Sequence, residues 1–297
     1  MFDTVVTDKT LREQIPYLDS TFTFGAWTDD YNNLIDCTLN CHWHHDFEFS
    51  ILLSGAVDYY INDTYIKLQK NDCVFVSSNM LHMAKQSEGC RDVVTFTATF
   101  PASLLTANIN STIYTKYFQP ILSSRIEGFK IASDDPRGNK MRALLTEITS
   151  FKASDFGYEI KCLNHAGQLW MATLRHIEDN KGDLLWRTGN TQHAERAKEI
   201  LSYVHEHFDD KITVEGIANH VGISRSECFR CFKRFMNKTP VEYINEYRLL
   251  RAAKLLRETE LDITYIYTEC GFESASYFGK MFKEIYTVTP LQYRKSR

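Results

Sequence analysis

The chain has 297 residues, 43% of them hydrophobic and 24% charged, with a net charge of -4. That is the composition of an ordinary globular protein with room for two cored domains, and it excludes a disordered or fibrous chain. No apolar run approaches the ~20 residues that span a bilayer, no basic-then-apolar signal opens the chain, and eight irregularly spaced cysteines make no disulfide framework. A reduced cytoplasmic setting without membrane contact is expected.

Residues 1–100 read as β structure. Thr21 to Trp27, Phe47 to Leu53, Val57 to Ile61, Tyr65 to Leu68, Val74 to Val76 and Val93 to Phe100 are short runs rich in aromatic and β-branched residues. Asn62-Asp63 and Lys70-Asn71-Asp72 are turn signals between them. Many short strands at this spacing predict a small barrel or jelly roll. Within it, His42, His44, Glu48 and Gly55 spell HxH, three residues, Glu, six residues, Gly, and His82 follows.

That spacing resembles the first cupin motif, with His82 where the second motif places its histidine. Asn71, Ser77 and Asn79 stand where that second motif has Gly, Pro and Gly. On a strand, His42, His44 and Glu48 share parity and point to one face. Three imidazoles and a carboxylate facing into a barrel suit a divalent metal such as Zn, Mn, Fe or Ni. They equally suit the polar lining of a pocket for an organic ligand, or hydrogen-bonded residues at the barrel mouth. Trp27, Trp43, Tyr59 and Phe96 are further candidates for the lining.

Past Pro101 the periodicity becomes helical. Met141, Leu144, Leu145, Ile148 and Phe151 mark one helix; Ile160, Leu163, Gly167, Trp170, Leu174 and Ile177 mark another as a heptad-like seam. The seam is either one half of a helical hairpin packed on the barrel or a dimer interface, with Gly167 permitting close helix approach. Four segments follow: a barrel at 1–100, a helical segment at 101–181, a Gly- and Thr-bearing linker at 182–193, and a last domain at 194–297.

The last domain repeats itself at an offset of 50 residues. Cys228, Phe232 and Lys233 recur as Phe278, Phe282 and Lys283, and Thr239, Pro240 and Tyr243 as Thr289, Pro290 and Tyr293. Each copy has helix-turn-helix grammar. Thr213 caps a short helix with apolar Val214, Ile217, Ala218 and Val221, Gly222 turns the chain, and Ser224 caps the next helix. In the second copy Asp262 caps Ile263 to Cys270, Gly271 turns and Ser274 opens the second long helix.

At 100° per residue, Cys228, Cys231, Phe232 and Phe235 are core, which leaves Arg225, Ser226, Phe229, Arg230 and Lys233 outward; Ser276, Gly279, Lys280 and Lys283 are outward in the second copy. Basic and small residues at matched positions on two helices are what major-groove reading requires. Phe229 either touches a thymine methyl or packs on its neighbours. Cys228 and Cys231 spell CxxC without a second ligand pair at zinc-finger spacing, and read as small apolar core residues. From residue 191 on, 17 Lys and Arg face 15 Asp and Glu, so this half carries the basic charge, though only +2 of it. DNA affinity is therefore expected from a local stripe and from dimerisation.

Between the copies, Val241, Ile244, Tyr247, Leu249, Ala252, Leu255 and Leu256 predict one connecting helix with Pro240 in its first turn. Here Pro240, Tyr243, Arg248, Ala252, Leu255, Leu256, Ile266, Gly271, Phe272, Tyr277, Phe278, Phe282, Lys283, Pro290 and Tyr293 resemble the signature of AraC/XylS-type transcription regulators. The resemblance covers about the last hundred residues; Tyr267 departs from it, standing where the family usually has Ala. It implies a seven-helix domain whose two motifs enter successive major grooves, with dimerisation through the intervening helices and RNA polymerase as a further partner. The expectation is an α+β multidomain chain: a cupin-like β-barrel, a helical dimerisation segment and an all-α domain with two helix-turn-helix motifs. Its expected function is a DNA-binding regulator, an activator controlled by a small-molecule effector and not an enzyme. The rival is a metal-dependent cupin enzyme fused to a DNA-binding domain.

Overall fold

The computed structural model of the protein describes residues 5–124, 126–180, 191–236 and 238–295. Among the described residues these form two compact units, the first of residues 5–8 and 12–180, the second of residues 9–11 together with those from Thr191 on.

Among the described residues of the first unit, nine strands make two antiparallel sheets: β1 (Gly25–Asp30), β2 (Thr38–His42), β3 (Phe47–Ser54), β4 (Ala56–Ile61), β5 (Thr64–Gln69), β6 (Cys73–Val76), β7 (His82–Gln86), β8 (Val94–Phe100) and β9 (Gly128–Ile131). One sheet has the order β1-β8-β3-β6-β9 and the other β2-β7-β4-β5. The predicted turns at Asn62 and Asn71 form, each asparagine taking left-handed backbone (φ 50° and 68°). β1 starts at Gly25, not Thr21, and β2, β7 and β9 were not anticipated.

Three helices pack on the five-stranded sheet: α1 (Gln119–Leu122), α2 (Asn139–Ile148) and α3 (Tyr158–Asp179). Phe47, Phe49 and Ile51 of β3 join Met141, Leu144, Leu145 and Ile148 of α2 and Leu169 and Trp170 of α3 in one buried cluster. The Trp170 ring stacks on Phe118 at 4.4 Å and 1°, and its Nε1 donates to the Tyr117 carbonyl. The expected division at residue 100 is therefore not a structural one. β9 returns to the sheet from beyond it, and the helices share the sheet's core.

The seam on α3 also divides. Trp170 and Ile177 are buried in this cluster and Leu174 is half-buried against it, whereas Ile160 and Leu163 are 70% and 38% exposed, as is Met171 beside the seam at 46%. A Cβ built on Gly167 would meet nothing within 4 Å.

The second unit has seven helices among the described residues: α4 (Thr191–Glu206), α5 (Val214–Val221), α6 (Arg225–Met236), α7 (Pro240–Glu258), α8 (Ile263–Glu269), α9 (Ala275–Tyr286) and α10 (Pro290–Lys295). The expected linker lies outside the described residues up to 190, and α4 starts at Thr191, three residues before the expected domain boundary. Every predicted cap forms. Thr213 Oγ1 accepts from the Gly216 N–H at 3.0 Å, Ser224 from Glu227 at 3.1 Å, Asp262 from Thr264 at 2.7 Å and Ser274 from Tyr277 at 3.4 Å. The repeat even preserves a reciprocal capping box, Thr239 with Glu242 and Thr289 with Gln292. On α7 Ile244, Leu249, Ala252 and Leu256 are buried as expected, but Val241 is turned out to solvent. Tyr267 is half-buried, its ring 5.9 Å from Phe278.

The two turn glycines share a left-handed backbone but not their surroundings. Gly222 (φ 71°) has open space where a Cβ would stand, while at Gly271 (φ 75°) a Cβ would come within 2.6 Å of the Phe208 carbonyl oxygen and 2.9 Å of Arg248. Arg248 bonds the Phe208 and Asp210 carbonyls at 2.7 Å each, tying the chain after α4 to α7. Gly222→Ala should cost roughly 1–2 kcal/mol for the left-handed backbone alone. Gly271→Ala adds overpacking and should cost about 3 kcal/mol or more. Urea unfolding of the full chain, followed by helical circular dichroism, checks the order; equal losses would refute the steric account.

Candidate functional site

Two regions carry chemistry: the barrel interior and the outward faces of α6 and α9.

In the barrel, β3 turns Glu48 and Ser50 inward, opposite the faces of Phe47 and Phe49. Glu48 Oε1 accepts from Tyr59 Oη at 2.7 Å and from Ser50 Oγ at 3.0 Å, and Ser50 lies 2.8 Å from Thr97 Oγ1 of β8. This fixes the carboxylate with Oε2 facing the histidines. His42 and His82 are cross-strand partners on β2 and β7, with ring centroids 4.1 Å apart. β2 ends at His42, so His44 sits in the loop before β3 and not on a shared strand. The predicted parity of His42, His44 and Glu48 is therefore replaced by convergence of a strand end, a loop and a second strand.

The convergence itself is complete. His42, His44, Glu48 and His82 are all buried, with one potential ligand atom each lying within 4.8 Å of the others. His44 Nε2 is 3.3 Å and His82 Nε2 3.2 Å from Glu48 Oε2. One member had no sequence signal: Glu13, in an irregular stretch, whose N–H donates to the Trp43 carbonyl at 2.9 Å. Its Oε2 lies 3.8 Å from His42 Nε2 and 3.9 Å from His44 Nε2.

Burial sets the electrostatics. It pushes the Glu13 carboxyl up to about 8, with Glu48 adding to the rise, and holds His42 well below the usual imidazole range. Burial lowers His44 as well. Burial alone would raise Glu48, but His82 and His44 outweigh it and hold the carboxyl well below its ordinary value. Burial alone would lower His82, yet the facing Glu48 raises it.

A cavity of about 300 Å³ opens beside this cluster, touching Glu13, His42, Glu48, Tyr59 and His82 on one side and Trp27, Leu34, Leu39 and Met83 on another. It has the mixed lining of a small-molecule site. Of the expected aromatics, Trp27 and Tyr59 line it. Phe96 instead belongs to the helix-side core, and Trp43 packs edge-on against His45.

On α6, Arg225, Ser226, Arg230 and Lys233 are exposed and Phe229 is half-buried, with the Arg225 guanidinium 5.7 Å from its ring centroid. On α9, Ser276, Lys280 and Lys283 are exposed and Gly279 is open. Arg230 is paired with Glu227, and Lys280 lies 3.8 Å from Glu284. Arg225 reaches Glu215 at 3.0 Å. The inward faces carry Cys228, Cys231, Phe232 and Phe235 in the first copy and Phe278 and Phe282 in the second, all buried.

A barrel with a lined cavity and a domain of two capped helix-turn-helix motifs define a ligand-binding, DNA-binding regulator of transcription. An AraC-like ligand binding domain is matched over residues 38–162 and a helix-turn-helix domain over residues 217–296. YdeC of Bacillus subtilis (strain 168), an uncharacterized HTH-type transcriptional regulator, is 28% identical over 298 residues, covering 98% of each chain. The melibiose operon regulatory protein of Escherichia coli (strain K12) is 22% identical, covering 86% of this chain and 83% of its own. The HTH-type transcriptional activator RhaS of Escherichia fergusonii is 27% identical over 53% of this chain and 54% of its own. The chain belongs to the AraC family of transcription regulators.

Cys228 and Cys231 are buried free thiols whose ionisation burial pushes up to about 11 and about 12. Reactivity follows the thiolate. At pH 8 an aromatic disulfide reagent should label Cys37 and Cys90, the two half-buried cysteines, and reach the buried six only on unfolding. Fast native labelling of Cys228 or Cys231, read by peptide mass spectrometry, would contradict their place in the core.

Proposed function

We propose that a small-molecule effector occupies the barrel cavity, that two chains pair along the outward stripe of α3, and that α6 and α9 enter successive major grooves of an operator. The observation that carries the DNA reading is the match between copies: Ser226 with Ser276, Phe229 with Gly279, Arg230 with Lys280 and Lys233 with Lys283 occupy equivalent outward positions. Arg230 and Lys280 are assigned to base or phosphate contact, with Arg225, Ser226, Lys233, Ser276, Gly279 and Lys283 in support. Phe229, packed beneath Arg225, is assigned to holding that guanidinium toward the backbone.

Pairing is supported by Ile160, Leu163 and Met171, exposed along one side of α3 around an open Gly167. Activation draws on the name of RhaS, a transcriptional activator, with RNA polymerase as the partner that activation would engage; the setting assigned is the cytoplasm, where the operator is. The barrel is assigned no reaction, in keeping with relatives named as regulators; the rival enzyme reading rests on the histidine cluster alone.

Selection of genomic DNA fragments by the full chain at fixed near-physiological salt tests the DNA reading. A bipartite motif is expected, with blocks about one helical turn apart. Arg230→Ala should weaken one block and Lys280→Ala the other, by about 1–3 kcal/mol for a bidentate base contact. An absence of enriched sequence would sink the reading.

Sedimentation velocity tests the pairing. The natural chain should run as a dimer at micromolar concentration and the Leu163→Glu, Met171→Glu double variant as a monomer. A monomeric natural chain would remove α3 from the interface.

A further inference from the structure

The three histidines share a feature that the regulatory reading does not use. Each ring nitrogen Nδ1 faces a backbone carbonyl: His42 that of Asn40 at 2.6 Å, His44 that of Asp46 at 3.1 Å and His82 that of Met80 at 2.9 Å. A carbonyl only accepts, so each Nδ1 carries the hydrogen and each neutral imidazole presents a bare Nε2 lone pair. All three Nε2 atoms turn to the same volume as Glu48 Oε2 and Glu13 Oε2. With the imidazoles neutral and Glu13 ionised, the forms a bound cation would favour, five acceptors converge on one volume.

Two of these atoms stand out. Glu13 Oε2 and His82 Nε2 are buried without a hydrogen-bond partner, their side chains 8% and 2% exposed. Buried, unpaired acceptors aimed at one another are costly unless something positive lies between them. The spacings fit such a centre: donors about 2.0–2.2 Å from one ion stand about 3–3.5 Å apart, and the separations here are 3.2, 3.3, 3.8 and 3.9 Å. Each metal-facing histidine also shows the outer hydrogen bond that fixes ligating imidazoles, and Tyr59 and Ser50 do the same for Glu48.

We propose that His42, His44, His82, Glu48 and Glu13 bind one divalent first-row transition ion, with Glu13 as a fifth donor supplied by the N-terminal segment. Three imidazoles with two carboxylates select Zn, Ni, Co, Fe or Mn over Mg or Ca. Because Glu13, His42, Glu48 and His82 line the cavity while His44 does not, the ion's accessible side is the cavity side.

The test uses the untagged full chain, stripped by chelator and titrated separately with Zn, Ni, Co and Mn. One equivalent should bind, raise the unfolding temperature, and with Co(II) produce visible d–d absorption. His82→Gln should weaken binding at least 10-fold. Glu13→Gln should weaken it about 10-fold while leaving the metal-free unfolding temperature within a few degrees of the natural chain's. If none of the four metals binds the natural chain stoichiometrically, or if binding survives both substitutions, the assignment is wrong. A full equivalent bound with unchanged affinity in Glu13→Gln alone would overturn the fifth donor.

Discussion

The first unit depends on a strand that is buried on both faces. β3 lies at the centre of its sheet, and its alternation sends Phe47, Phe49 and Ile51 into the cluster beneath α2 and α3 while Glu48, Ser50 and Leu52 go into the barrel. A slip of one residue would drive Glu48 among phenylalanines and fill the cavity with rings; β3 keeps one register with β6 and, from Phe47 to Leu52, with β8, shifting only at Ser54, beyond the site. The helices thus do more than cover the sheet. Trp170, 4.4 Å from Phe47, clamps the outward face and so keeps Glu48 aimed inward.

In the second unit one solution is used twice and then bent to its place in the chain. Caps, turn glycine and capping box recur at offsets of 49 or 50 residues, yet of the two turn glycines only Gly271 is crowded. The reason is Arg248: α7 serves both copies, but its guanidinium reaches back past the second turn to the carbonyls after α4. The copies are therefore alike on their outward faces and unlike at their hinges.

Much of this was legible in the sequence because helix repeats carry redundant signals of periodicity, cap and turn. The barrel was less so. β2 mixes Asn and Cys with apolar residues, β7 holds Lys and Gln, and β9 is four residues long, so none gave a clear alternation. On α3 the heptad stripe picked by hydropathy lies about 100° from the centre of the buried face. That face sets Leu169 among small or polar residues, Cys162, His165, Ala166, Thr173 and His176, which dilute its apolar signal, and only the stripe's edge at Trp170 and Ile177 overlaps it. Glu13 was invisible for a different reason. It is placed by isolated bridges, Thr7 with Glu13 and Arg12 with Trp43, and by its backbone bond to Trp43, a contact across 30 residues that no local pattern encodes.

The outward cations of the reading helices are already matched with carboxylates: Arg230 with Glu227, Lys280 with Glu284, Arg225 with Glu215. These pairs are exposed, where such contacts contribute about 0–1 kcal/mol, so a phosphate or a guanine edge displaces the carboxylate at little cost. The same exchange limits what each helix gains, since every new contact replaces an old one. A net charge of only +2 over this half adds little long-range attraction. In the proposed complex, affinity must then come from the number of contacts made at once, and two helices per chain acting together would turn weak local exchanges into binding that depends on their spacing.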